Sequence, residues 1–178
     1  MWQPAAERLL DAIGVRPGWR CADLGCGPVG IISALSKRVG SSGLVVGTDI
    51  DPKAVDHLRE HAAEADLKNV EFVQDDAYAS TLPPASFDLV HVRYVFSPVG
   101  RHQELLRSLI SLTRPGGLIG AQEADTSSWK CVPDSDDWAA LIDLIRRAFL
   151  ARGGDFDSGR QLRTLFESAG LENVEARA

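Results

Sequence analysis

The ten residues CADLGCGPVG, Cys21 to Gly30, join an apolar run to a glycine-rich turn. Gly25, Gly27 and Gly30 have the G-x-G-x-x-G spacing that follows a strand and opens a helix in sheets that hold a dinucleotide pyrophosphate. Asp23 stands two residues before the first glycine, where its charge would repel a phosphate group. The stretch therefore predicts a strand–turn–helix unit and leaves the charge of its ligand open.

Length and composition describe one ordinary globular domain without a surplus of positive charge. The 178 residues are 44% hydrophobic and 25% charged, and the formal net charge at pH 7 is −6, which argues against broad binding to nucleic acid or to an anionic membrane surface. No apolar run approaches the roughly 20 residues that a membrane-spanning helix needs. The three cysteines form no C-x-x-C pair, and the N-terminus lacks the apolar region of a signal peptide. We therefore expect a reduced, cytoplasmic protein.

Strand and helix patterns alternate along the whole chain. The predicted strands are WRCADL (19–24), LVVGTD (44–49), VEFVQ (70–74), SFDLVHV (86–92) and LIGAQ (118–122). Helical spacing precedes the first strand and recurs at 31–39, 52–65, 105–112, 138–149 and 162–166. This alternation predicts one domain over residues 1–178, an α/β fold with a doubly wound, mostly parallel sheet between two layers of helices. A sixth strand would end near Ala178, so we expect the last strands of the fold to be incomplete.

Carboxylates dominate the positions directly after the predicted strands. Ligands of such sheets bind at the carboxyl ends of the strands, near the reversal of strand order. These positions are Asp23 to Gly30, Asp49 to Asp51, Asp75 to Ala77, Arg93 to Tyr94, and Glu123 to Asp125. A buried, unpaired Asp23 would be costly, so it needs a donor or a cation, and a cationic ligand is a natural partner. Asp49 is placed to accept from two ribose hydroxyls, and Asp76 from an adenine amino group.

Five segments in order carry a family resemblance. ADLGCGPVG (22–30), VVGTDID (45–51), VEFVQDDA (70–77), FDLVHVRYVF (87–96) and TRPGGLIGAQEAD (113–125) resemble the motifs of class I S-adenosylmethionine-dependent methyltransferases, which have a Rossmann-like fold. The similarity covers roughly residues 4 to 175. Most family members have a third glycine where this chain has Val29, and Gly30 comes one residue later. The family usually also has a seventh strand, for which this chain has no segment, and residues before the first helix that often form a lid.

The resemblance implies a set of cofactor contacts. S-adenosylmethionine carries a sulfonium and an ammonium, so an acidic site suits it better than it suits a dinucleotide. By resemblance, Asp23, Gly25, Cys26 and Gly27 line the methionine half, Asp49 holds the ribose, Ile50 packs on the adenine face, Asp76 and Ala77 meet the adenine edge, and Arg93 borders the methionine end.

Methyl transfer to an acceptor is an in-line displacement, in which the protein mainly orients the two reactants and excludes water. A general base is needed only if the acceptor loses a proton early, so the catalytic residue stays unassigned. The candidates are His91, Tyr94, Glu123 and Asp125; a core position for His91 is the alternative interpretation. The expected partners are a small-molecule methyl acceptor and a second copy of the chain in a homodimer, with neither nucleic acid nor a membrane. VRYVFSPV (92–99) lacks the N/D-P-P-Y signature associated with methylation of amide or adenine nitrogens.

Three other interpretations remain open. The glycine spacing, with Asp49 about twenty residues beyond it, is also typical of an NAD(P)-dependent oxidoreductase. HLREH, residues 57–61, matches the H-x-x-E-H pattern of a zinc peptidase, but both histidines are predicted on the solvent side of their helix, and we expect no metal site. A chain of this family could also bind the cofactor without turning it over, as an inactive methyltransferase-like subunit.

Overall fold

The computed structural model describes residues 3–28, 30–125 and 129–177. Its contacts group the chain into two compact units, which we call the sheet unit (Met1–Arg93 and Glu104–Ala121) and the C-terminal unit (Tyr94–Gln103 and Gln122–Ala178). The single domain predicted over residues 1–178 stays a prediction.

Five strands and seven helices make up the described chain. The strands are β1 (Arg20–Leu24), β2 (Leu44–Asp49), β3 (Val70–Gln74), β4 (Phe87–Arg93) and β5 (Thr113–Gln122). The helices are α1 (Gln3–Ile13), α2 (Ile32–Val39), α3 (Pro52–Glu64), α4 (Phe96–Val99), α5 (His102–Leu112), α6 (Asp136–Leu150) and α7 (Leu162–Ser168), with a short 3-10 helix at Ser158–Arg160. None of the described helices combines the length and apolar character needed to cross a bilayer.

The strands form one sheet in the order β3-β2-β1-β4-β5. β1 pairs in parallel with β2 and with β4, and β2 pairs in parallel with β3. β2 and β3 are therefore added on one side of β1, and β4 and β5 on the other. The strand order reverses between β1 and β4, which is the switch point of the sheet. This confirms the predicted Rossmann-like α/β fold.

Both faces of the central strand are covered, as expected for a parallel sheet flanked by helices. In β1, every residue from Cys21 to Leu24 is buried, without alternation. One face packs in a single apolar cluster that joins Cys21 to Leu10 of α1, Leu35 of α2 and Leu58 of α3. This packing fixes the positions of the strand ends.

The start of α3 follows the helix-capping signals in the sequence. Asp51 caps α3, because its side chain accepts a hydrogen bond of 2.9 Å from the backbone N–H of Lys53, and Pro52 fills the first turn. Gly40 follows α2, and Gly170 comes two residues after α7, with a positive φ of 82°. The end of α2 at Val39 and the start of α3 at Pro52 confirm the predicted limits, whereas α7 continues two residues beyond its predicted end.

β5 begins earlier than predicted. The sequence predicts a strand from residue 118, but the strand starts at Thr113, directly after α5. The Arg114 Nε donates to Asp88 Oδ1 over 2.7 Å, which ties this segment alongside the start of β4. The backbone still turns here, because Gly116 has a positive φ of 73° and a Cβ on Gly117 would lie 2.8 Å from Thr113 Cγ2.

The C-terminal unit is helical and rich in aromatic contacts. Phe96 of α4 packs against Phe166 of α7, with ring centroids 6.1 Å apart, and Phe149 of α6 packs against Phe156 at 4.7 Å. The four-residue α4 was not predicted, since so short a helix shows no periodicity. The segment after α7 forms no strand in the described residues up to 177.

Candidate functional site

The strand register brings the predicted site residues of the sheet unit to one edge. Leu24, at the end of β1, lies opposite Thr48 of β2 and Val92 of β4, while Asp49 lies opposite Gln74 at the end of β3. The carboxyl ends of β1, β2, β3 and β4 are therefore neighbours. The last residues of these strands and the segments that follow them carry every residue for which the sequence predicts a cofactor contact.

Asp49 fastens the glycine loop to the end of β2. Its Oδ2 accepts a 2.9 Å hydrogen bond from the backbone N–H of Gly27, and its Oδ1 accepts one of 2.9 Å from the N–H of Asp51. The N–H of Cys26 also donates to the Thr48 carbonyl over 2.9 Å. Each carboxylate oxygen can accept more than one hydrogen bond, so Asp49 keeps the capacity to accept from ligand hydroxyls.

Two glycines of the loop are required for different reasons. Gly27 has a positive φ of 56°, and a Cβ built on it would meet nothing within 4 Å. A Cβ on Gly30 would lie 2.7 Å from the Cys26 carbonyl oxygen and 3.1 Å from Asp23 Oδ2. Gly30 therefore allows the close approach that a third glycine provides, although it comes one residue late. Val29 lies outside the described residues.

The ends of β2 and β3 present an apolar side chain beside polar ones. Ile50 is 66% exposed, which leaves a bare aliphatic surface next to Asp49. Asp76 is partly buried, and its Oδ1 accepts a 2.9 Å hydrogen bond from the N–H of Tyr78. Ala77 is buried. An aliphatic face between two carboxylates suits the flat, hydrogen-bonding ring of an adenine.

Asp75 and Asp76 have different roles in spite of their adjacency. Asp75 is buried and accepts hydrogen bonds from the hydroxyls of Ser80 and Thr81 and from the N–H of Thr81. It therefore stabilises the loop after β3. Asp76 is the carboxylate of the pair that is available to a ligand, as the sequence predicts.

The loop lies in a negative electrostatic environment. Burial raises the pKa of the Cys26 thiol, and the nearby charges of Asp23 and Asp49 raise this pKa further. The Cys26 side chain, in the middle of the loop, is therefore close enough to both carboxylates for their charges to affect it. Such a field disfavours a pyrophosphate and favours a cation.

Asp23 has an intramolecular partner that sequence reasoning missed. It is 2% exposed, and its Oδ1 lies 2.7 Å from Nδ1 of His91, which is fully buried. The two residues are register partners across β1 and β4. The donor that the buried carboxylate needs is therefore His91, rather than a cationic ligand alone. Only the pairing of β1 with β4 reveals this contact, since the residues are 68 positions apart.

The remaining catalytic candidates belong to the C-terminal unit. Tyr94 has a positive φ of 57°, a conformation that non-glycine residues seldom adopt and that recurs at functional sites. Glu123 accepts hydrogen bonds from the N–H of Phe96 (2.7 Å) and the hydroxyl of Ser97 (2.5 Å), and burial raises the pKa of this carboxyl. Glu123 thus holds the start of α4. Asp125 pairs with an arginine, Arg160, over 2.7 Å.

Two further predictions concern Arg93 and the histidines of α3. Arg93, the last residue of β4, is partly buried and belongs to the sheet unit. His57 and His61 are exposed, on the solvent side of α3 as expected. Among the residues that the structure describes, no group of three or more potential ligands could hold a metal ion.

Comparison with known proteins agrees with this geometry. Residues 16–170 match a family described as a methyltransferase domain. A nocamycin O-methyltransferase of Saccharothrix syringae is 34% identical over 119 residues, covering 67% of this chain and 42% of that protein. A demethylmenaquinone methyltransferase of Listeria monocytogenes is 29% identical over 155 residues, covering 87% of this chain and 62% of that protein. The chain thus spans about half of the length of these relatives.

A solved structure shares the fold. The crystal structure of a SAM-dependent methyltransferase from Aquifex aeolicus superimposes with a TM-score of 0.60 and 23% identity, covering 78% of this chain and 76% of that one. The match to the methyltransferase domain covers most of the sequence, including every motif that carries the resemblance. The chain therefore belongs to the methyltransferase domain family.

Proposed function

We propose that the protein is an S-adenosylmethionine-dependent methyltransferase that transfers a methyl group to the oxygen, nitrogen or carbon of a small-molecule acceptor. The observation that carries the proposal is the acidic glycine loop, whose Cys26 lies in the field of Asp23 and Asp49, with open space beside Gly27. A cofactor with a positive sulfur and an ammonium fits this field, and an anionic pyrophosphate does not.

The residues present fit the parts of this cofactor. Asp49 holds the ribose hydroxyls, Ile50 covers one face of the adenine, and Asp76 with Ala77 meets its edge. Asp23 and the glycine loop take the methionine half, with Arg93 at its border. When bound, the cofactor supplies an electrophilic methyl group with a thioether as its leaving group. The chain contributes orientation of the two reactants and exclusion of water.

The C-terminal unit offers a surface for the acceptor. A cavity of about 590 Å³ is lined in part by Trp129, Cys131 and Trp138, and the two indole rings lie 6.5 Å apart. Indole rings provide flat apolar area with a polar N–H, which suits an aromatic or conjugated small molecule. Nocamycin and demethylmenaquinone, after which the relatives are named, are small organic molecules.

The cofactor assignment is tested by calorimetric titration of the protein with S-adenosylhomocysteine and, separately, with NAD. We expect saturable, one-site binding of S-adenosylhomocysteine and no heat of binding for NAD, since the loop repels phosphate. Tight binding of NAD without binding of S-adenosylhomocysteine would instead establish the oxidoreductase interpretation. If S-adenosylhomocysteine binds but a broad panel of phenols, amines and quinols is not methylated by the protein, the inactive-subunit interpretation is favoured.

The acceptor assignment is tested with Trp138→Ala. Loss of one indole wall is expected to raise the KM for an accepted substrate about tenfold, as for the loss of 1–2 kcal/mol of contact with an aromatic ring. The affinity for S-adenosylhomocysteine should not change. Val132→Ala is the control, since Val132 is 91% exposed in the same segment but does not line the cavity. Equal acceptor KM values for the two variants would rule out this surface.

A further inference from the structure

The pair of Asp23 and His91 spans the switch point of the sheet. The two residues lie opposite each other in β1 and β4, and Oδ1 of the carboxylate is 2.7 Å from Nδ1 of the imidazole. Both side chains are at least nine-tenths buried. The pair therefore lies directly before the glycine loop, within the sheet unit, in a place that no catalytic step described above uses.

The described surroundings of His91 leave only one of its ring nitrogens with a hydrogen-bond partner. Within the described residues, Nε2 of His91 is buried and has no hydrogen-bond partner. A Cβ on Gly120 would lie 3.4 Å from Cδ2 of this ring and would also meet side-chain carbons of Ile13 and Leu89, so this side of the ring is apolar. Nδ1 is therefore the ring nitrogen that carries the polar contact of His91, and it donates to Asp23 when it bears the proton.

The contact with His91 fixes the direction of the Asp23 carboxylate. Arginine or lysine in place of His91 would satisfy the buried carboxylate but would place a permanent positive charge beside it. The imidazole instead meets the carboxylate through one ring nitrogen, 2.7 Å from Oδ1. Oδ2 of Asp23, the oxygen that does not contact the ring, lies on the side of Gly30, 3.1 Å from where a Cβ of that residue would be. The charge is thus held under the glycine loop.

We propose that His91 is a positioning residue for the cofactor: it holds the Asp23 carboxylate fixed in direction, so that this carboxylate attracts the ammonium of the methionine half. The inference rests on the proposed function, because it concerns the same cofactor site. It adds to that function a buried residue of β4 that acts only through Asp23. It also explains why a histidine occupies the core of a strand that is otherwise apolar from Leu89 to Val92.

The test compares two ligands. S-adenosylhomocysteine carries the amino-acid end, and 5′-methylthioadenosine lacks it while keeping the adenine, ribose and sulfur. For His91→Leu, we expect S-adenosylhomocysteine to bind at least about tenfold more weakly, equivalent to one charged hydrogen bond. The affinity for 5′-methylthioadenosine should stay within about twofold of the wild-type value, because its contacts do not involve Asp23.

Two further variants provide the matched control. Asparagine places an amide N–H near the position of Nδ1, and glutamine places it near Nε2, away from Asp23. His91→Asn should restore the affinity for S-adenosylhomocysteine to within about threefold of wild type, whereas His91→Gln should behave like His91→Leu. The glutamine variant also serves if the leucine variant does not fold.

Two binding results would overturn the inference. The first is a folded His91→Leu or His91→Gln variant that binds S-adenosylhomocysteine with wild-type affinity. The second is an equal loss of affinity for both ligands, because that indicates a structural defect. Failure of the asparagine variant to regain selective binding also counts against it. If the wild-type protein binds neither ligand, it is the proposed function that fails, and the two failures are therefore distinguishable.

Discussion

Gly27→Val is expected to abolish binding of S-adenosylhomocysteine while the protein stays folded. The Cβ of residue 27 would point into space that is open to 4 Å in the structure, and the valine side chain would occupy the volume proposed for the cofactor. The positive φ of 56° adds backbone strain on the order of 1–3 kcal/mol. Calorimetry of ligand binding and thermal unfolding of the same sample measure the two effects separately.

Gly14→Val is the matched control for this variant. Gly14, which follows α1, has a φ of 69° and likewise has nothing within 4 Å of a built Cβ. We expect a comparable loss of thermal stability and unchanged ligand affinity, since residue 14 precedes β1 and residue 27 follows it. Equal binding by the two variants would show that the open space beside Gly27 is not a ligand site.

Asp49→Ala is expected to weaken S-adenosylhomocysteine binding by roughly 10- to 150-fold, the equivalent of about 1.5–3 kcal/mol for hydrogen bonds to a charged group. The variant removes the acceptor of the proposed ribose hydroxyls. It also removes the acceptor of the Gly27 and Asp51 N–H groups, so the loop loses its attachment to β2. Calorimetric titration at fixed ionic strength measures the change.

Asp56→Ala is the control for the loss of a negative charge. Asp56 is exposed on α3 and pairs with exposed Arg59, so its removal should alter ligand affinity by less than a factor of about two. Asp49→Asn, which keeps one acceptor oxygen, should lie between the alanine variant and wild type. An Asp49→Ala protein with undiminished affinity would contradict the ribose assignment.

The sequence predicted the elements of the sheet well where hydrophobic pattern and turn chemistry agree. β2 and β3 have the predicted limits, and α3 begins at the expected cap, because buried apolar runs and an Asp-Pro start are local signals. At β5 the strand begins five residues before the predicted start. Its first residues carry a proline and two glycines, and the backbone turns at Gly116, which has a φ of 73°, while the contact of Arg114 with Asp88, which is not local, ties them to β4.

The sequence places the predicted site residues at one end of the sheet but does not predict the contacts between them. Position at or directly after a strand end is enough to bring Asp49 and Asp76 to that end, since parallel strands end together, and their binding of a ligand stays a prediction. The partner of Asp23 depends on which strand pairs with β1 and in what register. The periodicity of apolar residues in the sequence does not predict either of these. The same limit applies to Glu123, whose contacts with Phe96 and Ser97 join segments that are 26 and 27 residues apart.

The hydrogen bonds of Asp49 have a consequence for how a ligand enters. Since this side chain fastens the loop through the Gly27 N–H, contacts within the chain itself hold the loop in place. Little chain entropy is then lost on association, and affinity is not reduced by the work of ordering the loop. An ordered site of this kind favours lock-and-key binding, in which the ligand neither selects a minor conformation of the loop nor changes the loop's conformation.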